Sequence, residues 1–292
     1  AMRMSLYDAA FAALVQETPS RGRRAISYLT LFGGFASSVF WPIGHALAAA
    51  TGWRATLLAF AALNLFVCLP LHWIGLSRRE PAMAPDAPSH AVATPSPDAA
   101  PLEGRNRTIA MALFAAVLSA CAFVFGALSV HLPAVLQAFG LTAAAAVMFA
   151  SLKGVAQVGG RLWELMFAKA LAPLNLARVA IAALPLCFIV LMFGPAGFAT
   201  ALVFILLLGF GNGLVTIVRG AAPLALFGTE GYGRVLGILA TPYLLLNAVA
   251  PMLFAVLVDR LGYGPSTAVL LAAALLASLA MELMAWWYRR RG

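Results

Sequence analysis

Lys153, Gln157, Arg161 and Glu164 follow one another at spacings of four, four and three residues inside an almost wholly apolar stretch. That spacing stacks four side chains on one face of a helix. In hydrocarbon an ionisable group costs about 2.5–3.5 kcal/mol on insertion scales, so it faces a cavity or a partner. Lys153, near the middle of the stretch, is therefore either a cavity cation open to an anion or half of a structural salt bridge. Arg161 and Glu164, nearer its end, read as structural. Asn212, Thr216 and Arg219 form a second polar face at spacings of four and three. Gly209, Gly211 and Gly213 beside it favour close helix packing over ligand approach. Asp8, next to Tyr7, either carries a proton or answers a buried partner. Tyr243 and Asn247, four apart, suit one cavity wall, and His131, just before Pro133, reads as a packing residue. No His/Cys/carboxylate group has metal spacing, and no Gly-rich loop with Lys-Ser/Thr cradles phosphate. Neither a metal, a cofactor nor direct ATP hydrolysis is expected.

The elements that must hold these residues follow from composition. The 292 residues are 63% hydrophobic and 10% charged, with a mean hydropathy of +0.94. Soluble domains carry about 25% charged residues, so this chain cannot coat a water-facing body. Its apolar runs reach the roughly 20 residues that a bilayer core demands of a helix. They are continuous, which excludes the alternation of barrel strands. Met4–Val15 is a stub too short to cross alone. Eight runs are long enough: Ala25–Ala49, Ala55–Leu76, Thr108–Ala138, Leu141–Gly160, Pro173–Phe193, Gly197–Val218, Val235–Val258 and Pro265–Trp287. Ser77–Asn106, rich in Pro, Ala, Asp and Ser, predicts a flexible linker.

Charge gives the orientation. With the linker in the cytoplasm and strict alternation, fifteen of the nineteen Lys and Arg fall on the cytoplasmic side. Arg54 and Arg260 fall opposite, and Arg3 and Lys153 stay within spans. So lopsided a split is the positive-inside signal, and the +9 net charge reports topology, not nucleic-acid binding. The C-terminus is expected in the cytoplasm.

The chain also repeats itself. Gly22-Arg23 matches Gly233-Arg234 at an offset of 211, and Gly52-Trp53 matches Gly262-Tyr263 at 210. At 211 again, Asp8 to Leu14 lies over Arg219 to Ala225. Agreement of offset, side and neighbouring helix marks a parallel repeat. Extending the second copy back over the first predicts about a hundred further residues and three further helices upstream of Ala1.

Two helical halves joined by a cytoplasmic linker resemble the major facilitator superfamily. So do Gly52-Trp53-Arg54, Gly160-Arg161 and Asp259-Arg260-Leu261-Gly262-Tyr263, and the acid–base pairs Glu17 with Arg23 and Glu230 with Arg234. The resemblance implies an all-α polytopic membrane bundle. Residues 1–76 would hold the end of the N-terminal half (helices four to six), 77–106 the linker, and 107–292 a complete six-helix C-terminal half. It further implies a secondary transporter that moves a small solute by alternating access, and no enzyme. A cavity lined by both halves would draw on Tyr7, Asp8, Lys153, Gln157, Asn212, Tyr243 and Asn247. The basic residue tilts the solute towards an organic or inorganic anion, with a proton as the candidate co-transported ion. Asp8 and Arg219, equivalent in the repeat and opposite in charge, would form an inner gate, or else pair separately with other groups. A monomer in the bacterial inner membrane is expected. Two other readings stay open: a transport-incompetent fragment, and a polytopic membrane enzyme acting on lipid.

Overall fold

The computed structural model describes residues 7–17, 21–77, 102–168 and 171–290. Arg3 and most of the linker expected over 77–106 lie outside the described residues. Every regular element among those described is helical. α1 spans Tyr7–Glu17 and α2 Gly22–Leu63. A π-helical turn, Asn64–Cys68, leads into α3, Leu69–Ser77. The remainder are α4 (Gly104–Ala138), α5 (Ala143–Phe167), α6 (Pro173–Phe193), α7 (Phe198–Phe227), α8 (Tyr232–Leu261) and α9 (Tyr263–Arg289). Seven helical stretches among the described residues are long and apolar enough to cross a bilayer: Ala46–Ile74 and α4 through α9. The expected run 25–49 is helical throughout, within α2.

The chain divides into two compact units. One comprises Phe32–Thr94. In it α2 breaks at Gly52, whose φ of 79° and ψ of 165° belong to a region that essentially only glycine occupies. Beyond the break the Phe60 ring meets Phe40 edge-on at 6.1 Å between centroids. Leu58, Phe66 and Trp73 are exposed, as suits an apolar solvent. Gly262, between α8 and α9, has φ 78° and ψ 174°, nearly the geometry of Gly52. The two glycines that the repeat aligns therefore share an uncommon backbone as well as a neighbour.

The other unit holds Ala1–Leu31 with Pro95–Gly292. In it α5 and α6 flank α7, α4 lies along α8 and α9, and α1 rests on α8. Helix association in lipid depends on close packing because water supplies no drive between apolar surfaces. The α5–α7 seam is closed accordingly. A methyl group on Gly209 would lie 2.6 Å from the Lys153 carbonyl oxygen, and one on Gly160 2.6 Å from that of Phe210. At Gly213 it would overlap the Gln157 carbonyl. Gly126 lets α4 approach the Asn247 backbone of α8 in the same way. Gly213→Ala is therefore expected to lower stability by about 1–3 kcal/mol, the usual range for overpacking. Gly237→Ala, with nothing within 4 Å of the added methyl, is the neutral control. Thermal unfolding in detergent distinguishes them, and equal midpoints would refute the packing account.

Candidate functional site

The polar residues collect along the seam of α5 and α7 and at its junction with α1 and the first turns of α2. On α5, Val147, Val155, Leu162 and Met166 form an exposed stripe. Lys153 and Gln157 stand two residues to either side of Val155, about 200° round the helix, and so face the opposite way. Both are half-buried. Neither side chain has a hydrogen-bond or ion-pair partner among the described residues. Asn212, half-buried on α7 beside the glycine that abuts Gln157, is likewise unpartnered.

Towards the junction the polar groups pair off. Arg219 Nη2 lies 2.9 Å from each carboxylate oxygen of Asp8. Its guanidinium sits 4.0 Å from the centre of the Tyr243 ring, within cation–π range. The Arg219 and Asp8 side chains are 13% and 23% exposed, so water screens this pair only partly. Below it Tyr232 donates its hydroxyl to the Gly220 carbonyl at 2.9 Å.

Arg161 is 2% exposed. Its Nη1 donates to the Thr30 carbonyl at 2.7 Å and its Nη2 to Thr216 Oγ1 at 3.5 Å. The Tyr7 phenol is its electrostatic and hydrogen-bonding neighbour, but among the described residues Nε has no partner. One helical turn on, Arg23 closes the end of α5. It donates to the carbonyls of Leu171 and Ala168 at 2.7 and 3.2 Å and stands 3.5 Å from Glu164 Oε1. A cation over the last carbonyls of a helix satisfies orphan acceptors and complements the helix dipole. Among the described residues Glu164 Oε2 has no partner.

The junction is reciprocal. Gly22, at the start of α2, has Leu224 of α7 within 3.1 Å of its missing Cβ. Gly233, its counterpart at the start of α8, has Ala12 of α1 at 3.5 Å. Each copy of the repeat thus sets its second helix against the first helix of the other, as a two-fold interface does. Asp8 and Arg219, one repeat apart, meet where such an axis passes.

The structure brings Tyr7, Asp8, Arg219 and Tyr243 together around this junction and leaves Lys153, Gln157 and Asn212 along the adjacent seam. Asn247 is turned elsewhere. Its amide donates to the Ala122 carbonyl of α4 at 3.3 Å, and further along the same two helices the His131 ring lies 3.2 Å from the Pro251 carbonyl. Both residues fasten α4 to α8. Tyr232 is a part of the junction that the sequence did not single out. Arg23 entered the sequence reading through the GR pair of the repeat and as a partner for Glu17, not as a group that holds the end of α5.

An all-helical bundle with seven apolar spans among its described residues and a charged junction between two related helix pairs defines a polytopic membrane protein. The model of the Major Facilitator Superfamily matches residues 2–241. The chain belongs to that superfamily, and is an integral membrane protein of a family of solute transporters. No curated protein matches it.

Proposed function

We propose that this chain is a secondary transporter that carries a small anionic solute by alternating access. Lys153 carries the argument. It is a half-buried cation on the unexposed face of a spanning helix, with no countercharge among the described residues. Its neighbours Gln157 and Asn212 keep free hydrogen-bonding groups. A membrane protein retains so costly a group where something passing through answers its charge. Asp8 and Arg219 serve as the inner gate, closed in this arrangement, with Tyr7 and Tyr243 packed around them. Residues 1–76 and 107–292 act as the two moving halves, the latter a six-helix unit, with 77–106 as the tether. A proton is the candidate coupling ion.

The test is uptake by vesicles holding the purified protein under an imposed proton gradient or solute counterflow. Anionic solutes should accumulate while matched neutral ones do not. Uptake of neutral or cationic solutes alone would overturn the reading. Orientation has its own check. The linker and C-terminus are assigned to the cytoplasm, so protease should cut within 77–106 in inside-out vesicles and spare right-side-out ones. The reverse pattern would invert the topology.

A further inference from the structure

The charges of the junction and seam do not balance, and the imbalance specifies the solute further. The charged side chains placed above along this junction and seam are Asp8, Arg23, Lys153, Arg161, Glu164 and Arg219. Asp8 pairs with Arg219 at 2.9 Å, and Glu164 stands opposite Arg23 at 3.5 Å. Lys153 and Arg161 are left over. Each lacks a carboxylate partner among the described residues, and together they carry two positive charges. Arg161 is the more demanding of the two. Buried to 2% exposure, it has one short bond to a backbone carbonyl, one long bond to a hydroxyl, the neutral Tyr7 phenol beside it and, among the described residues, no partner for Nε. A neutral carbonyl satisfies a donor but does not neutralise a buried cation.

We infer that Lys153 and Arg161 grip the two ends of one dianion, and that the solute is a short α,ω-dicarboxylate. The inference rests on the anion-transport reading above. Lys153 and Arg161 are eight residues apart on one face of α5. At 1.5 Å rise per residue their Cα atoms stand about 12 Å apart along the axis. If both side chains reach out to similar extents, two charge-assisted contacts of about 2.8 Å leave roughly 6 Å between the outer oxygens. An extended four-carbon diacid fills that length, with C–C bonds of about 1.5 Å. Gln157 lies between the two cations on the same face and Asn212 stands on α7 beside it. They offer a carboxamide donor and acceptor to the middle of such a molecule.

The partner that Arg161 holds now explains how the site is emptied and refilled. Thr30 belongs to the first turns of α2, the element that also carries Arg23. When the junction opens, the Thr30 carbonyl withdraws from Arg161 and a solute carboxylate takes its place. When it closes, the carbonyl competes for the same guanidinium nitrogen. Arg161 is thus a specificity-determining residue for the second charge, and Lys153 for the first.

Equilibrium binding to the full chain in detergent, with butanedioate and butanoate as probes, tests this. Butanedioate should bind at least about tenfold more tightly, the effect of one additional hydrogen bond to a charged group. Arg161→Gln should reduce the ratio of dianion to monoanion affinity by about tenfold or more. Arg161→Lys, which keeps the charge, should preserve the preference for the dianion and guards against misreading a folding defect. Equal binding of the two probes, or a ratio unmoved in Arg161→Gln, overturns the dianion and leaves the anion reading standing. Failure of both probes, with a neutral or cationic solute bound instead, overturns the two together.

Discussion

Reversing Asp8 alone should almost abolish transport, and reversing Arg219 with it should restore a measurable part. Asp8→Arg sets two guanidinium groups where one carboxylate now lies 2.9 Å from its partner, with Arg161 nearby. Two unit charges about 4 Å apart at an effective dielectric of 20 interact by roughly 4 kcal/mol. The single variants therefore exchange attraction for repulsion of similar size in the closed arrangement. Desolvation removes much of the attraction. A net contribution of about 1–2 kcal/mol still shifts the open-to-closed ratio by about 5- to 30-fold. The double exchange Asp8→Arg with Arg219→Asp rebuilds the pair with its polarity inverted. It forfeits the cation–π contact with Tyr243, worth about 0.5–2 kcal/mol, so rescue should be partial. Initial rates of uptake, normalised to protein in the vesicles, measure this. A double variant no better than the worse single one would reduce the pair to an incidental surface bridge.

Lys153→Ala should lose at least about tenfold in transport while the protein becomes no less stable. The two outcomes belong together. An unpaired cation within a span costs about 2.5–3.5 kcal/mol on insertion scales, and its removal breaks no hydrogen bond or ion pair among the described residues. A structural residue behaves oppositely: its loss destabilises the fold and transport falls only as the protein disappears. Thermal midpoints and membrane abundance measured alongside transport separate the cases. Retained transport of every accepted solute would make Lys153 a structural residue and remove the basis for an anionic substrate.

Much of this arrangement was legible before any coordinates. Continuous apolar runs gave the spans, since backbone groups in lipid must be satisfied within the helix. The 211-residue offset paired Asp8 with Arg219 because a repeat that closes on itself sets equivalent positions face to face at its axis. The spacing of Lys153, Gln157 and Arg161 put them on one face of α5. What sequence could not carry was the identity of backbone partners. Arg161 is answered by the Thr30 carbonyl, and Arg23 by those of Ala168 and Leu171. Every residue offers a carbonyl, so no side-chain pattern marks these. Tyr243 and Asn247 show a second limit. Four residues apart, they share a helix face, yet Tyr243 lies beneath Arg219 while Asn247 reaches α4. α8 borders different helices along its length, and periodicity on one helix does not say which neighbour stands at each turn. Likewise Glu282, which shares α9 with Arg289, bonds across to Arg178 of α6 at 2.6 Å.

The fit of α5 against α7 has a mechanical meaning. Backbone meets backbone at Gly160, Gly209 and Gly213, with no flexible side chain between to absorb sliding. In the alternating-access cycle proposed above, the two helices would therefore swing as one stiff lever. Lys153, Gln157 and Asn212 ride on it together, and their mutual spacing stays fixed as the lever moves. A solute held by them would be carried with the lever, and only its hold on Arg161 would change as the cycle proceeds. In that proposal the energy that favours one face of the membrane over the other would come from what meets the lever's tip, where Thr30 and Arg23 bond to α5 and the residues that follow it.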